Sequence, residues 1–261
     1  MCRMRKSMLV LVAVAAPAAA APQADFADAW PDLLARMERA TVRGDAPEMM
    51  AVRTELHALL GADLTAAERS LARYTVAYLA WRLSVLPDAL TDDDRDALLD
   101  NAVELLRVDL EVNQGNAEAH ALLGSLYGLQ IGGSAWKGMT LGRRASRATG
   151  RARELAPVNP RVLLLDGINK LNTPRMFGGG DGKAEALLQQ ALAAFGTEPP
   201  DRPWPRWGRS DVHAWLGQIM LRRGDLGAAR RHFEQALEIE PELVWVRQQL
   251  LPALEEQERQ Q

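Results

Sequence analysis

The chain has 261 residues, 48% of them hydrophobic and 25% charged, which is enough apolar material for a proper core and excludes a disordered chain. A formal net charge of −3 gives no electrostatic footprint for nucleic acid, and a single cysteine, Cys2, excludes a disulfide framework. Aromatic residues make up only 5%, while runs of Ala, Leu, Arg and Glu dominate, so the expected fold class is all-α.

Residues 1–20 predict a secretory signal peptide. Arg3, Arg5 and Lys6 precede an unbroken apolar run over 8–20, too short for a membrane span of about 20 residues, and Ala18-Ala19-Ala20 offers small side chains for cleavage after Ala20. Cys2 lies ahead of the apolar run, the wrong side for a lipoprotein. Removing this leader takes away three basic residues and no acid, so the formal charge moves from −3 to −6 and the mature chain has no cysteine. The chain is therefore expected to cross the inner membrane into the periplasm, with no stable membrane insertion after cleavage.

The next stretch, 21–63, predicts an N-terminal helical cap pair broken at Gly44-Asp45, with Pro47 in the first turn of its second helix. The repeat region runs over 64–261. Residues 64–86 open on the capping box Thr65-x-x-Glu68, and 91–112 carry Ala102 and Leu106 in phase with a second helix, giving a degenerate pair. Tyr74, Tyr78 and Trp81 fall at i, i+4, i+7, a stripe that reads as core packing rather than a binding strip.

Three clearer pairs follow, at 117–157, 160–195 and 210–241. The last has Leu216-Gly217, Gly224-Asp225, Ala229, Phe233, Ala236 and Pro241. Its small residues stand where two helices cross closely, Leu216 and Phe233 fill the gap, Gly224-Asp225 makes the turn and Pro241 stops the second helix. In the first, Leu123-Gly124 and Tyr127 are followed by Ala145, Thr149, Ala152 and Pro157. Gly124 to Ala145 spans 21 residues against 12 from Gly217 to Ala229, which predicts an extended inserted loop over 131–138, IGGSAWKG. In the middle pair Gly167 precedes Ala184, Leu188 and Ala191, with a shorter insertion carrying TPRMFGGGDG. Residues 242–259 predict a final amphipathic capping helix with Leu243, Val246, Leu250 and Leu254 on one side.

This spacing resembles the 34-residue tetratricopeptide repeat, which implies an α-α superhelix of antiparallel helix pairs. His213 and Met220 stand where that family most often has Trp and Tyr. The run AxxLAPVNPRVLLLDG, then NTPRMFGGGDGKAEALLQQALAAF, then PRWG is similar to a group of exported bacterial tetratricopeptide proteins. That similarity covers the chain from about Tyr74 and is distinctive in Asn159-Pro160-Arg161, Thr173-Pro174, residues 177–180 and Trp207-Gly208.

In tetratricopeptide proteins the ligand lies along the concave face of the first helix of each pair. The resemblance implies as binding positions Glu118 and Ser125 in the first clear pair, Arg161, Leu164, Ile168 and Asn172 in the next, and Asp211, Gln218 and Arg222 in the last. Two further surfaces are candidates: the basic stripe Arg143, Arg147 and Arg151 at i, i+4, i+8, which either receives acidic groups of a partner or is a solvated face neutralised by acids over 92–111; and the proline-rich loop 199–208, where Trp204 and Trp207 either clamp the loop or offer anchors.

No catalytic, cofactor or metal site is expected. The glycine cluster 177–183 lacks the Walker A spacing, since Phe177 and Ala184 stand where Gly and Ser or Thr are needed. His57, His120, His213 and His232 show no zinc-ligand spacing, and no Gly-x-Ser-x-Gly elbow occurs. The expected function is non-catalytic binding of a protein or peptide in the periplasm. The alternatives are a soluble ligand-binding or assembly component of an envelope transport system, signalled by an enclosed apolar cavity, and an enzyme, signalled by two of His120, His213, Asp166 and Asp211 around one cavity.

Overall fold

The computed structural model describes residues 26–132, 134–199 and 205–260. The leader expected at 1–20, and Trp204, lie outside these. Among the described residues there are eleven α-helices and no strand. They pair in chain order as antiparallel neighbours: α1 (Phe26–Arg43) with α2 (Ala46–Leu59), α3 (Ala66–Ser84) with α4 (Asp92–Val112), α5 (Ala117–Ile131) with α6 (Ala135–Leu155), α7 (Pro160–Asn172) with α8 (Asp181–Phe195), α9 (Arg209–Arg222) with α10 (Leu226–Ile239), and α11 (Leu251–Arg259) closing the stack.

Local chemistry sets the helix starts. Asp45, Thr65, Thr91, Asn116, Ser134, Asn159 and Asp225 each accept a backbone N–H of the first turn through their side chain, a contribution of about 1 kcal/mol per cap. At Thr65 the box is reciprocal, the Glu68 carboxylate accepting the Thr65 N–H at 2.9 Å. Ahead of α11 the backbone widens into a π-helical turn, Val246–Leu250. Pro252 has no N–H to donate and its ring crowds the preceding carbonyls, which the wider turn accommodates.

The inserted residues between α5 and α6 correct the expectation of an extended loop over 131–138. Helix α5 ends at Gly132, Ser134 caps the next helix, and α6 runs for 21 residues against 14 in α10. The insertion therefore adds helical turns to α6 instead of a long loop. The second insertion does form a compact connection, a 3₁₀ turn at Arg175–Phe177 followed by glycines.

In the first and last of the clear pairs the crossing is close enough to require glycine. A Cβ on Gly217 would meet Phe233 Cε1 at 2.4 Å, and one on Gly124 would meet Thr149 Oγ1 at 2.4 Å, where real side chains do not approach. The close crossing of the pair is thus read directly from its small residues.

One helix departs from the pattern of a polar outer face. In α3 every residue over 74–81 is buried, so the helix is apolar all round and sits inside the molecule. It packs on α2 and α4 and also touches α1 and α5. One continuous core extends from α1 to α9, and a second, smaller core joins α9, α10 and α11. The two ends of the stack meet, with Arg43 at 2.8 Å from Glu242.

Candidate functional site

Most of the positions expected on the concave face are covered by the chain itself. Tyr74 of α3 donates to Glu118 Oε2 at 3.3 Å, Asn159 donates to Glu118 Oε1 at 2.9 Å, and Trp207 Nε1 donates to Tyr74 Oη at 3.3 Å. The Trp207 ring stacks on Tyr78 at 4.7 Å between centroids and lies 5.8 Å from Trp81. The aromatic stripe of α3 is core, as its spacing implied, and Trp207 is clamped against it.

Arg161 is 1% exposed, paired through both guanidinium nitrogens with Glu198, and its guanidinium lies 5.3 Å from the Phe195 centroid and 5.8 Å from that of Trp207. Asp211 is also buried, held by Arg82 of α3 at 2.8 Å. Burial alone would lower the Arg82 pKa; Asp211 and Tyr78 push it the other way, and the balance is a raised value that keeps the guanidinium charged. Ser125 is buried and donates to Asn169 Oδ1 at 3.2 Å; Leu164 and Ile168 are core. Six of the nine positions are therefore engaged inside the fold. Gln218 is half-buried, and the inner face opens fully only at Asn172 and Arg222, near the C-terminal ends of α7 and α9.

The outer side is different. Helices α4 and α6 both pack on α5, and between them runs a groove of about 470 Å³. Its floor is His120, Leu123 and Tyr127, at i, i+3, i+7 along α5; its walls are Arg107, Leu110, Glu111 and Gln114 on one side and Arg151 on the other. Burial holds the His120 pKa below the ordinary histidine range, its contact with the Gln114 carbonyl opposes that, and Arg151 adds to it, so the imidazole is neutral at pH 7. Sequence reasoning found Arg151 here but missed Arg107, His120 and Tyr127; the i, i+3, i+7 spacing on α5 was the available signal.

The basic stripe is exposed throughout α6. Arg151 pairs with Glu154 of its own helix, while Arg143 and Arg147 form no ion pair among the described residues. Among the described residues, neutralisation by α4 acids is limited to Lys137 with Asp96 at 3.9 Å.

His120, Asp166, Asp211 and His213 each have surroundings of their own. His120 lines the outer groove, Asp211 pairs with Arg82, Asp166 lies 3.9 Å from Arg153, and His213 faces His232 with their Nδ1 atoms 3.2 Å apart. Among the described residues no group of three His, Cys, Asp or Glu side chains is placed to hold a metal.

A right-sized stack of antiparallel helix pairs with close glycine crossings defines a repeat superhelix of the all-α class. Residues 210–243 match the family model described as tetratricopeptide repeat, so this helix pair is similar to a tetratricopeptide repeat. That repeat is a protein–protein interaction module. A comparison with curated proteins found no match.

Proposed function

We propose that this chain is an exported, non-catalytic module of the periplasm that binds a protein or peptide partner in the outer groove between α4 and α6. The observation that supports this reading most is the position of the open surface. Six of the nine positions used elsewhere in the family are engaged inside the fold, while the outer groove is solvent-accessible and chemically mixed. Leu110, Leu123 and Tyr127 offer apolar contact, and Arg107 and Arg151 stand at the rim for carboxylates of a segment lying along α5. A groove open along its length suits a peptide segment better than a small molecule, which is bound by enclosure.

The test is crosslinked capture from a periplasmic extract with the exported chain as bait. The double variant Arg107→Glu with Arg151→Glu, both surface positions, is expected to lose the partners held by the wild-type chain while keeping its thermal midpoint. Retention of the same partners by the folded variant would overturn the groove assignment.

A further inference from the structure

The two inserted connections lie side by side. Helices α5 and α7 run parallel and in register, since Glu118 meets Asn159 near their starts and Ser125 meets Asn169 further along. Their C-terminal ends therefore emerge at the same edge, about 8–10 Å apart for packed helices. From one end comes the start of α6, with Trp136 76% and Met139 65% exposed; from the other comes the 3₁₀ turn, with Met176 83% and Phe177 71% exposed. Single exposed apolar side chains are ordinary, but four large ones on two adjacent connections call for an explanation.

The charge around this edge runs against that of the chain. Lys137, Arg143, Arg144, Arg175 and Lys183 lie on the two segments that carry the four apolar side chains, against the acids Asp181 and Asp96, the latter 3.9 Å from Lys137, in a protein whose formal net charge is −3. Arg143, Arg144 and Arg175 form no ion pair among the described residues. Trp136, Met139 and Arg143 fall at i, i+3, i+7, one outward stripe of α6, so the apolar and cationic groups point the same way.

We infer that this edge rests on the surface of an anionic phospholipid bilayer. Apolar side chains projecting from turns, ringed by cations, match the boundary between headgroups and acyl chains: Trp, Phe and Met enter it while Lys and Arg meet the lipid phosphates. A protein partner would instead need a concavity into which four separate tips could fit. Among the described residues no helix is long and apolar enough to cross a membrane, so the association is peripheral. Trp136 and Arg151 are 15 residues apart on α6, roughly 22 Å, so the Arg151 wall of the groove lies well away from the docked edge.

The experiment is co-sedimentation of the chain lacking residues 1–20 with vesicles of phosphatidylglycerol and phosphatidylethanolamine, against vesicles of phosphatidylcholine, with polyglutamate as a soluble competitor. The inference expects at least tenfold stronger partitioning onto the anionic vesicles, weakening with added salt, and about fivefold less binding for each of Arg143→Gln and Arg175→Gln. Trp136→Ser with Phe177→Ser should lower it about tenfold at an unchanged thermal midpoint, while Arg151→Gln at the far end should change it less than twofold. Equal binding to both vesicle types, or anionic binding that ignores the Trp136→Ser/Phe177→Ser change, would overturn the inference. Binding to polyglutamate but not to vesicles would also overturn it, in favour of an acidic protein. Partner capture by the groove is read separately, so either assignment can fail alone.

Discussion

The inner and outer faces of this superhelix use the same kinds of residue for opposite ends. On the inner face Arg161, Asp211 and Glu118 are buried and bonded to other parts of the chain; on the outer face Arg143, Arg147 and Arg151 stand in solvent. An arginine on a repeat helix is thus a folding residue where the stack curls over it and a surface residue where it does not. Repeat position alone does not separate the two cases, because what covers Arg161 comes from Phe195, Glu198 and Trp207, well beyond its own helix.

The largest effect expected from this contrast is on stability. Arg161→Ala removes a buried ion pair and the packing of a guanidinium between two aromatic rings, and should cost about 3 kcal/mol or more in urea unfolding. Arg147→Ala on the outer face should change stability by less than about 0.5 kcal/mol. Similar losses for the two would break the distinction.

Glycines sharpen it with a change of sign. Gly217→Ala forces a methyl against Phe233 and should destabilise by about 1–3 kcal/mol, whereas nothing lies within 4 Å of a Cβ on Gly142, on α6. There alanine should stabilise by up to about 1 kcal/mol through helix propensity. Thermal midpoints of the two variants check both signs.

A smaller effect concerns pH. Burial, then His232 and Arg209, lower the His213 pKa to about 4 in the folded chain, below the ordinary histidine value near 6.5. Protonation therefore favours unfolding: the contribution is fully present above about pH 6.5 and is lost as pH falls toward about 4. The stability of a His213→Gln variant should fall less steeply over that window than that of the wild type, a comparison in which the carboxylates common to both cancel.

Much of the fold was legible because it is local. The Thr65-x-x-Glu68 box, the small residues Gly217 and Ala229 and the stop at Pro241 act within a helix or between sequence neighbours. The added turns of α6 were missed because Gly132-Gly133 suggested a loop, while Ser134 supplied a cap that let the helix start early. The closure of the inner face was not legible at all. It depends on Arg82 reaching Asp211 across 129 residues and on Trp207 stacking against α3, contacts that no repeat spacing encodes. The outer groove was hidden for the same reason, since its floor and walls come from three helices and only Arg151 carried a sequence signal.

Cysteine labelling tests the closed inner face most directly. Serine at 125 is 3% exposed on that face, and Ser146 is exposed on α6. In a chain lacking residues 1–20, and so Cys2, single Ser125→Cys and Ser146→Cys variants are treated with a soluble thiol reagent under native conditions. The closed-face account predicts that the thiol at 146 reacts at the rate of a free peptide and the thiol at 125 at least a thousandfold more slowly, limited by opening of the fold. Comparable rates at the two positions would show that the inner groove is open and would contradict the account.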